Sequence, residues 1–153
     1  MRVVVQRVAR AAVSRIDAAA EPAAERRIGV GLVLLAGFQP TDDDAVVAWM
    51  AEKILGLRIF PDDAGAMNRS VVDCWGEILV VPNFTVYGDA AKGRRPSFTA
   101  AAPPADAARC FEAFVAALRR GPLRVEAGFF QAHMHVDLTN DGPVTLILEK
   151  ERA

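Results

Sequence analysis

The chain has 153 residues, 52% of them apolar and 24% charged, with 18 basic against 19 acidic side chains. Roughly 100–200 residues make one domain, and this apolar fraction fills a core without disulfides or a structural metal, which excludes intrinsic disorder and disulfide scaffolds. A net charge of −1 excludes coating of nucleic acid by overall charge, so any RNA contact needs a local basic patch.

The opening Met1-Arg2-Val3-Val4-Val5-Gln6-Arg7 meets Gln and Arg too early for a secretory leader, and no run approaches the about 20 apolar residues of a membrane span. A cytoplasmic protein without membrane contact is expected. Residues 3–8 read as the first strand, the Ala-rich stretch 18–24 as a surface connection, and 28–35 as the second strand. A helix follows, with Thr41 as its N-cap, Asp42 to Asp44 complementing its positive start, and Val46, Val47, Met50 and Ile54 as its apolar stripe. Strands are expected at 57–60 and 78–86, separated by a turn at Trp75-Gly76. Within the Ala-rich stretch near 100–108, read as a surface connection, Pro103-Pro104 open a second helix. Its stripe is Cys110, Phe111, Phe114, Val115 and Leu118, and Gly121-Pro122 stop it.

Three more strands, 125–130, 134–138 and 144–148, complete the chain, with Asp141-Gly142-Pro143 as a turn between the last two. About seven strands and two helices make a single α+β domain, a mostly antiparallel, partly closed barrel-like sheet with two covering helices. Cys74 and Cys110 are expected to be reduced thiols, Cys110 acting as a small hydrophobe on its helix.

Familiar sites fail on spacing. Gly29-Val30-Gly31 lacks the third glycine of a dinucleotide turn. The run Gly88-Asp89-Ala90-Ala91-Lys92-Gly93-Arg94-Arg95 has Arg-Arg where a phosphate loop needs Lys and Ser/Thr. His133 and His135 share a strand face, but no third ligand is spaced near them, so no metal or other cofactor is called for. No Gly-x-Ser-x-Gly elbow is present.

Two polar islands in apolar surroundings remain, Pro82-Asn83-Phe84-Thr85 after Ile78 to Val81, and Asn140-Asp141-Gly142-Pro143-Val144-Thr145 before Leu146 to Leu148. A Pro at a strand bulge and an Asn-Asp-Gly-Pro hairpin turn would account for both as ordinary structure.

In this order and spacing, however, the islands resemble the signature motifs of the bacterial and eukaryotic D-aminoacyl-tRNA deacylases, the second matching the family's Asn-x-Gly-Pro-x-Thr. The likeness covers nearly the whole chain. It includes Gln6-Arg7-Val8, Ile28-Gly29-x-Gly31-Leu32, Leu57-Arg58-Ile59-Phe60 with Met67-Asn68, Gly93-Arg94-Arg95-Pro96-Ser97-Phe98, and Gly128-x-Phe130-x-Ala132-x-Met134. It implies a homodimer of barrel-like subunits with active sites at the interface, acting on the aminoacylated 3′ end of tRNA rather than on DNA, and needing no cofactor.

The resemblance also implies that each site receives a cis Gly142-Pro143 from the partner subunit, with the two carbonyls aimed at the substrate. A fixed carbonyl beside the α-hydrogen excludes an L side chain by collision, leaves a D side chain free to point outward, and admits glycine. The ester is already activated, so an oriented water and backbone N–H donors at Phe84 and Thr85 can suffice, with the 2′-hydroxyl of the terminal adenosine contributing. Thr85 takes a positioning role, since no general base stands beside it. By the same likeness, Arg7 holds the Gly-Pro loop, while Pro82, Asn83, Asn140, Val144, Thr145, Met134 and Phe130 line the substrate site. Lys92, Arg94 and Arg95 are candidates for acceptor-stem phosphates, or else a solvated basic loop.

One departure stands out: the family's first motif is Ser-Gln-x-x-Thr, and here Pro82-Asn83 replace Ser-Gln. Pro removes an N–H and Asn has the shorter reach. The expected function is therefore hydrolysis of D-aminoacyl-tRNA, and of glycyl-tRNA mischarged on other tRNAs, as translation quality control. The rivals are a non-catalytic dimeric RNA-binding protein and a related deacylase of shifted aminoacyl specificity.

Overall fold

The computed structural model describes residues 1–16 and 24–152, so the Ala-rich stretch 18–24 lies, apart from Ala24, outside the described residues. Among the described residues, eight strands and two α-helices follow one another as β1 (Arg2–Arg15), β2 (Glu25–Ile28), β3 (Gly31–Gly37), α1 (Asp44–Leu55), β4 (Phe60–Pro61), β5 (Met67–Arg69), β6 (Glu77–Pro82), α2 (Pro104–Leu118), β7 (Val125–Ala127) and β8 (Met134–Glu149). A 3-10 turn, Phe84–Tyr87, follows β6. Among the described residues no helix is long and apolar enough to cross a membrane.

β1 organises the sheet. It runs antiparallel to β2 and β3 along one edge and to β8 along the other. Val3 and Val5 face the core beneath the helices, whereas Val8, Ala11 and Val13 face a second apolar cluster with Val33, Leu79 and Val81. Strand side chains alternate with a period of two, so a one-residue slip exchanges faces. That slip is seen where Val8 pairs with Asn140 and Arg10 with Thr139, leaving Ala9 unpaired. The bulge thus lets one long strand serve two cores of a nearly closed barrel.

β3, β6 and β7 are parallel neighbours, joined by crossovers that contain α1 and α2. Both helices bury the stripes expected of them, Val46, Val47, Met50 and Ile54 on α1, and Cys110, Phe111, Phe114, Val115 and Leu118 on α2. Burial also pushes the Cys110 thiol upward. The carboxyl ends of all three parallel strands meet at one end of the sheet, where Phe38, Asn83 and Gly128 leave it.

Several boundaries differ from those read in the sequence. The cap of α1 is Asp43, whose carboxylate accepts from Val46 N at 3.0 Å, rather than Thr41. Asp42 is drawn inward to the Met1 amine at 2.6 Å and to Gln39 N at 2.9 Å, which delays the helix start. Residues 28–35 divide around Gly29-Val30 into β2 and β3, and 57–60 contributes only Phe60 to a short hairpin with β5. The strand expected over 78–86 ends at Pro82. The two strands expected at 134–138 and 144–148 are one continuous β8, so Asp141-Gly142-Pro143 forms no hairpin turn.

The parallel pair β3/β6 leaves no room for a side chain at Gly31, where a Cβ would sit 1.8 Å from the Glu77 carbonyl oxygen. At Gly29 the nearest atom would be 3.7 Å away. Denaturant titration should therefore show Gly31→Ala losing at least about 3 kcal/mol, at or beyond the upper end of ordinary overpacking. Gly29→Ala should stay within about 0.5 kcal/mol of the parent.

Candidate active site

A largely apolar cavity of about 470 Å³ opens where the parallel strands end. Its floor comes from Ala36, Gly37 and Phe38 at the end of β3 and from Pro82, Asn83 and Phe84 at the end of β6; Phe130 and Gln131 follow β7, and Phe98 and the start of α2 close the far side. Phe84 and Phe98 meet edge to face at 5.1 Å, and Phe130 leans on Phe111 at 6.1 Å. A concave site with many apolar walls and few polar groups suits a flat, partly apolar ligand.

Apart from Gln131, the polar residue of the cavity comes from the first island. Asn83 caps the 3-10 turn, its Oδ1 accepting from Thr85 N at 3.2 Å and from the Thr85 hydroxyl at 2.5 Å. Thr85 therefore has its own N–H and its hydroxyl proton engaged. The Phe84 N–H takes no partner among the described residues and stands at the cavity wall. Pro82 costs no ladder bond, because the N–H that reaches Ala36 O, at 2.8 Å, is that of Asn83.

The second island lies elsewhere in the chain. Gln6 pairs with Thr145 and Val8 with Asn140, so four residues stand opposite Arg7 alone: Asp141, Gly142 and Pro143 are exposed, whereas Val144 is buried in the main core. Arg7 is buried and donates from Nε to Asp141 O at 2.9 Å and from NH1 to Ile59 O at 2.6 Å. Its guanidinium also approaches Asp141 Oδ2 at 3.5 Å. Asn140 clasps the loop from the other side, accepting from Val144 N at 2.7 Å and donating to Val144 O at 3.0 Å and Thr145 Oγ1 at 3.1 Å. The Gly142-Pro143 peptide is cis, and both residues are exposed. Neither lines the cavity, so one chain does not bring the two islands together.

The remaining candidates are dispersed. Met134 packs beside the second apolar cluster and accepts from Phe129 N through Sδ, at 3.2 Å, instead of lining the cavity. Lys92, Arg94 and Arg95 are exposed on the loop closed by the Asp89 and Ser97 bridge, close in sequence to Phe98. His133 and His135 stack edge to face at 5.8 Å, and among the described residues no group of three metal-ligating side chains forms. Sequence reasoning missed Phe38, Phe98 and the Ala101 to Pro104 wall; Phe98 alone carried a signal, as an aromatic within a quoted motif.

The comparisons with known proteins agree along the whole length. The family model described as D-Tyr-tRNA(Tyr) deacylase matches residues 4–149. A D-aminoacyl-tRNA deacylase of Desulfitobacterium hafniense is 51% identical over 152 residues, covering 99% of each chain. One of Heliobacterium modesticaldum is 54% identical over 149 residues, covering 97% of this chain and 96% of its own. Among solved structures, one titled c-Myc DNA unwinding element binding protein superposes with a TM-score of 0.89 at 36% identity, over 99% of this chain and 100% of that one. A probable eukaryotic D-amino acid tRNA deacylase shares the fold, with a TM-score of 0.79 at 18% identity.

Because Asn83 Oδ1 is the cap, Asn83→Ala should release the Thr85 amide while Asn83→Asp keeps it. A cap of this kind contributes about 1 kcal/mol. Hydrogen exchange at Thr85 should accelerate about fivefold in the Ala variant and stay near the parent rate in the Asp variant.

Proposed function

Since the chain belongs to the D-Tyr-tRNA(Tyr) deacylase family, we propose that it hydrolyses the ester of D-aminoacyl-tRNA, releasing the free amino acid and tRNA. The observation that carries the mechanism is the separation of the two islands. An aromatic cavity lined by Phe84, whose N–H takes no partner among the described residues, stands at the strand ends, and a clasped loop stands out on β8.

Among the described residues β8 pairs with β1 alone, and Val136, Leu146 and Ile147 along it are exposed. A second copy laid against this strand covers that apolar surface and delivers its own Gly142-Pro143 to the cavity of the first, so the working unit is a homodimer with composite sites. In the cavity the aromatic walls take the terminal adenosine, and the Phe84 N–H points at the ester carbonyl oxygen. Water adds to that carbonyl, the Phe84 N–H holds the developing oxyanion, and the ribose oxygen leaves with a proton. Thr85, tied to Asn83, keeps the turn in shape and attacks nothing.

The partner's Gly142-Pro143 loop acts by exclusion. Arg7 and Asn140 hold it from both sides, so a carbonyl placed beside the α-hydrogen cannot yield to an L side chain, whereas D-aminoacyl and glycyl esters fit. The substrate's acceptor stem lies along Lys92, Arg94 and Arg95, which have no carboxylate partner among the described residues. Such a reaction belongs in the cytoplasm, where tRNA is charged.

Deacylation of D-, L- and glycyl-tRNA at equal enzyme concentration tests this reading. Release from the D and glycyl substrates alone supports it; binding without release favours an RNA-binding protein, and release from L substrates a shifted specificity. Gly142 has φ +151°, and a Cβ there would meet Val144 N at 2.7 Å. Gly142→Ala should therefore displace the loop and lower kcat/KM about a hundredfold, as misplacing a positioning group by about 1 Å does. Thr85→Ser retains the hydroxyl and should stay within about threefold, well short of the roughly hundredfold loss of one oxyanion donor.

A further inference from the structure

We infer that Arg2 is a positioning residue for this hydrolysis, holding the turn that presents the Phe84 N–H and tying it to the exposed strand β8. The inference rests on the deacylase reading above. Arg2 is the first residue of β1, in register with Glu149 of β8, and its Nε donates to the Glu149 carboxylate. Its NH1 reaches away from the sheet and donates to Val86 O at 2.7 Å. That carbonyl sits inside the turn Phe84–Tyr87 and takes no backbone donor outside it among the described residues. The guanidinium also lies over the Tyr87 ring, 4.8 Å from its centre.

The physical need for such a brace is plain. A single 3-10 turn has weak internal hydrogen bonding, and here only Asn83 caps its start. Its far end is fixed from outside by one planar cation that serves three partners at once: a carbonyl, a carboxylate and an aromatic face. A fork of this geometry suits Arg and not Lys, whose ammonium is a compact point donor. Any swing of Val86 moves Phe84, two residues earlier, and with it the N–H aimed at the oxyanion. Arg2 touches no reacting atom, so its influence runs through the orientation of that donor. Because Glu149 belongs to the strand that the second copy covers, the same brace couples the settled position of β8 to the shape of the cavity beside it.

The test measures kcat and KM on D-aminoacyl-tRNA, together with the unfolding midpoint, for the full-length dimer and for Arg2→Met and Arg2→Lys. Misplacing a catalytic donor by about 1 Å costs up to about a hundredfold. Arg2→Met should lower kcat tenfold or more with KM within twofold, and hydrogen exchange at Tyr87 should quicken. Arg2→Lys, able to serve Val86 O but not all three partners, should recover part of the loss. A kcat within twofold of the parent in Arg2→Met would overturn the inference, as would a loss matched by a lower folded fraction in both variants. Failure of the parent itself to release D-amino acids would instead overturn the deacylase reading, so the two failures are distinguishable.

Discussion

A buried guanidinium sets the geometry of this molecule. Arg7 sits on the strand that pairs with β2, β3 and β8, and it donates to two backbone carbonyls from different parts of the chain, Ile59 O and Asp141 O. A charge in that position is costly unless its donors are satisfied. One of these carbonyls, Asp141 O, belongs to a loop that the sheet cannot pair, since Asp141 to Val144 stand opposite Arg7 alone. Cation and unpaired loop therefore complete each other. Asn140 finishes the clasp with bonds to both backbone groups of Val144. A loop built this way presents backbone at the surface without relying on a mobile side chain, which suits the chirality test proposed for it.

The cavity follows the same economy. The N–H of Phe84, which lines it, takes no partner among the described residues, and Asn83 holds the turn that carries it. A site made of main chain tolerates side-chain replacement better than a triad does, and Pro82-Asn83 are compatible with the proposed one. Pro82 lies where no N–H is used, and the shorter Asn83 turns back to cap the segment that follows it. Pro82-Asn83 thus bear on how the turn is held and leave the Phe84 N–H without a partner among the described residues.

Much of this was legible in the residues. The helical stripes at Val46, Val47, Met50 and Ile54 and at Cys110 to Leu118 are periodic enough to survive any tertiary arrangement, and they are buried as their spacing demands. What misled was local chemistry overruled from afar. Thr41 is a good cap in isolation, but Asp42 is taken by the Met1 amine and the helix begins behind Asp43. Asp141-Gly142-Pro143 has the composition of a hairpin turn, yet β1 continues beside it and binds the strand on both flanks, turning the expected hairpin into a bulge. The cavity could not be read at all as a unit. Phe38, Phe98 and Phe130 lie far apart in sequence and meet only because the parallel strands end together.

The central claim, that each site joins the cavity of one chain to the Gly142-Pro143 loop of another, can be tested by mixing two defects. One chain carries Gly142→Ala and the other a cavity defect, Phe84→Pro, which removes the free N–H. Each forms an inactive homodimer. In a heterodimer, one site inherits both defects and the other inherits neither, so random reassociation of equal amounts should restore about a quarter of the parent's deacylation rate. If cavity and loop instead served each other within one chain, every site would keep a defect and the mixture would stay as inactive as its components.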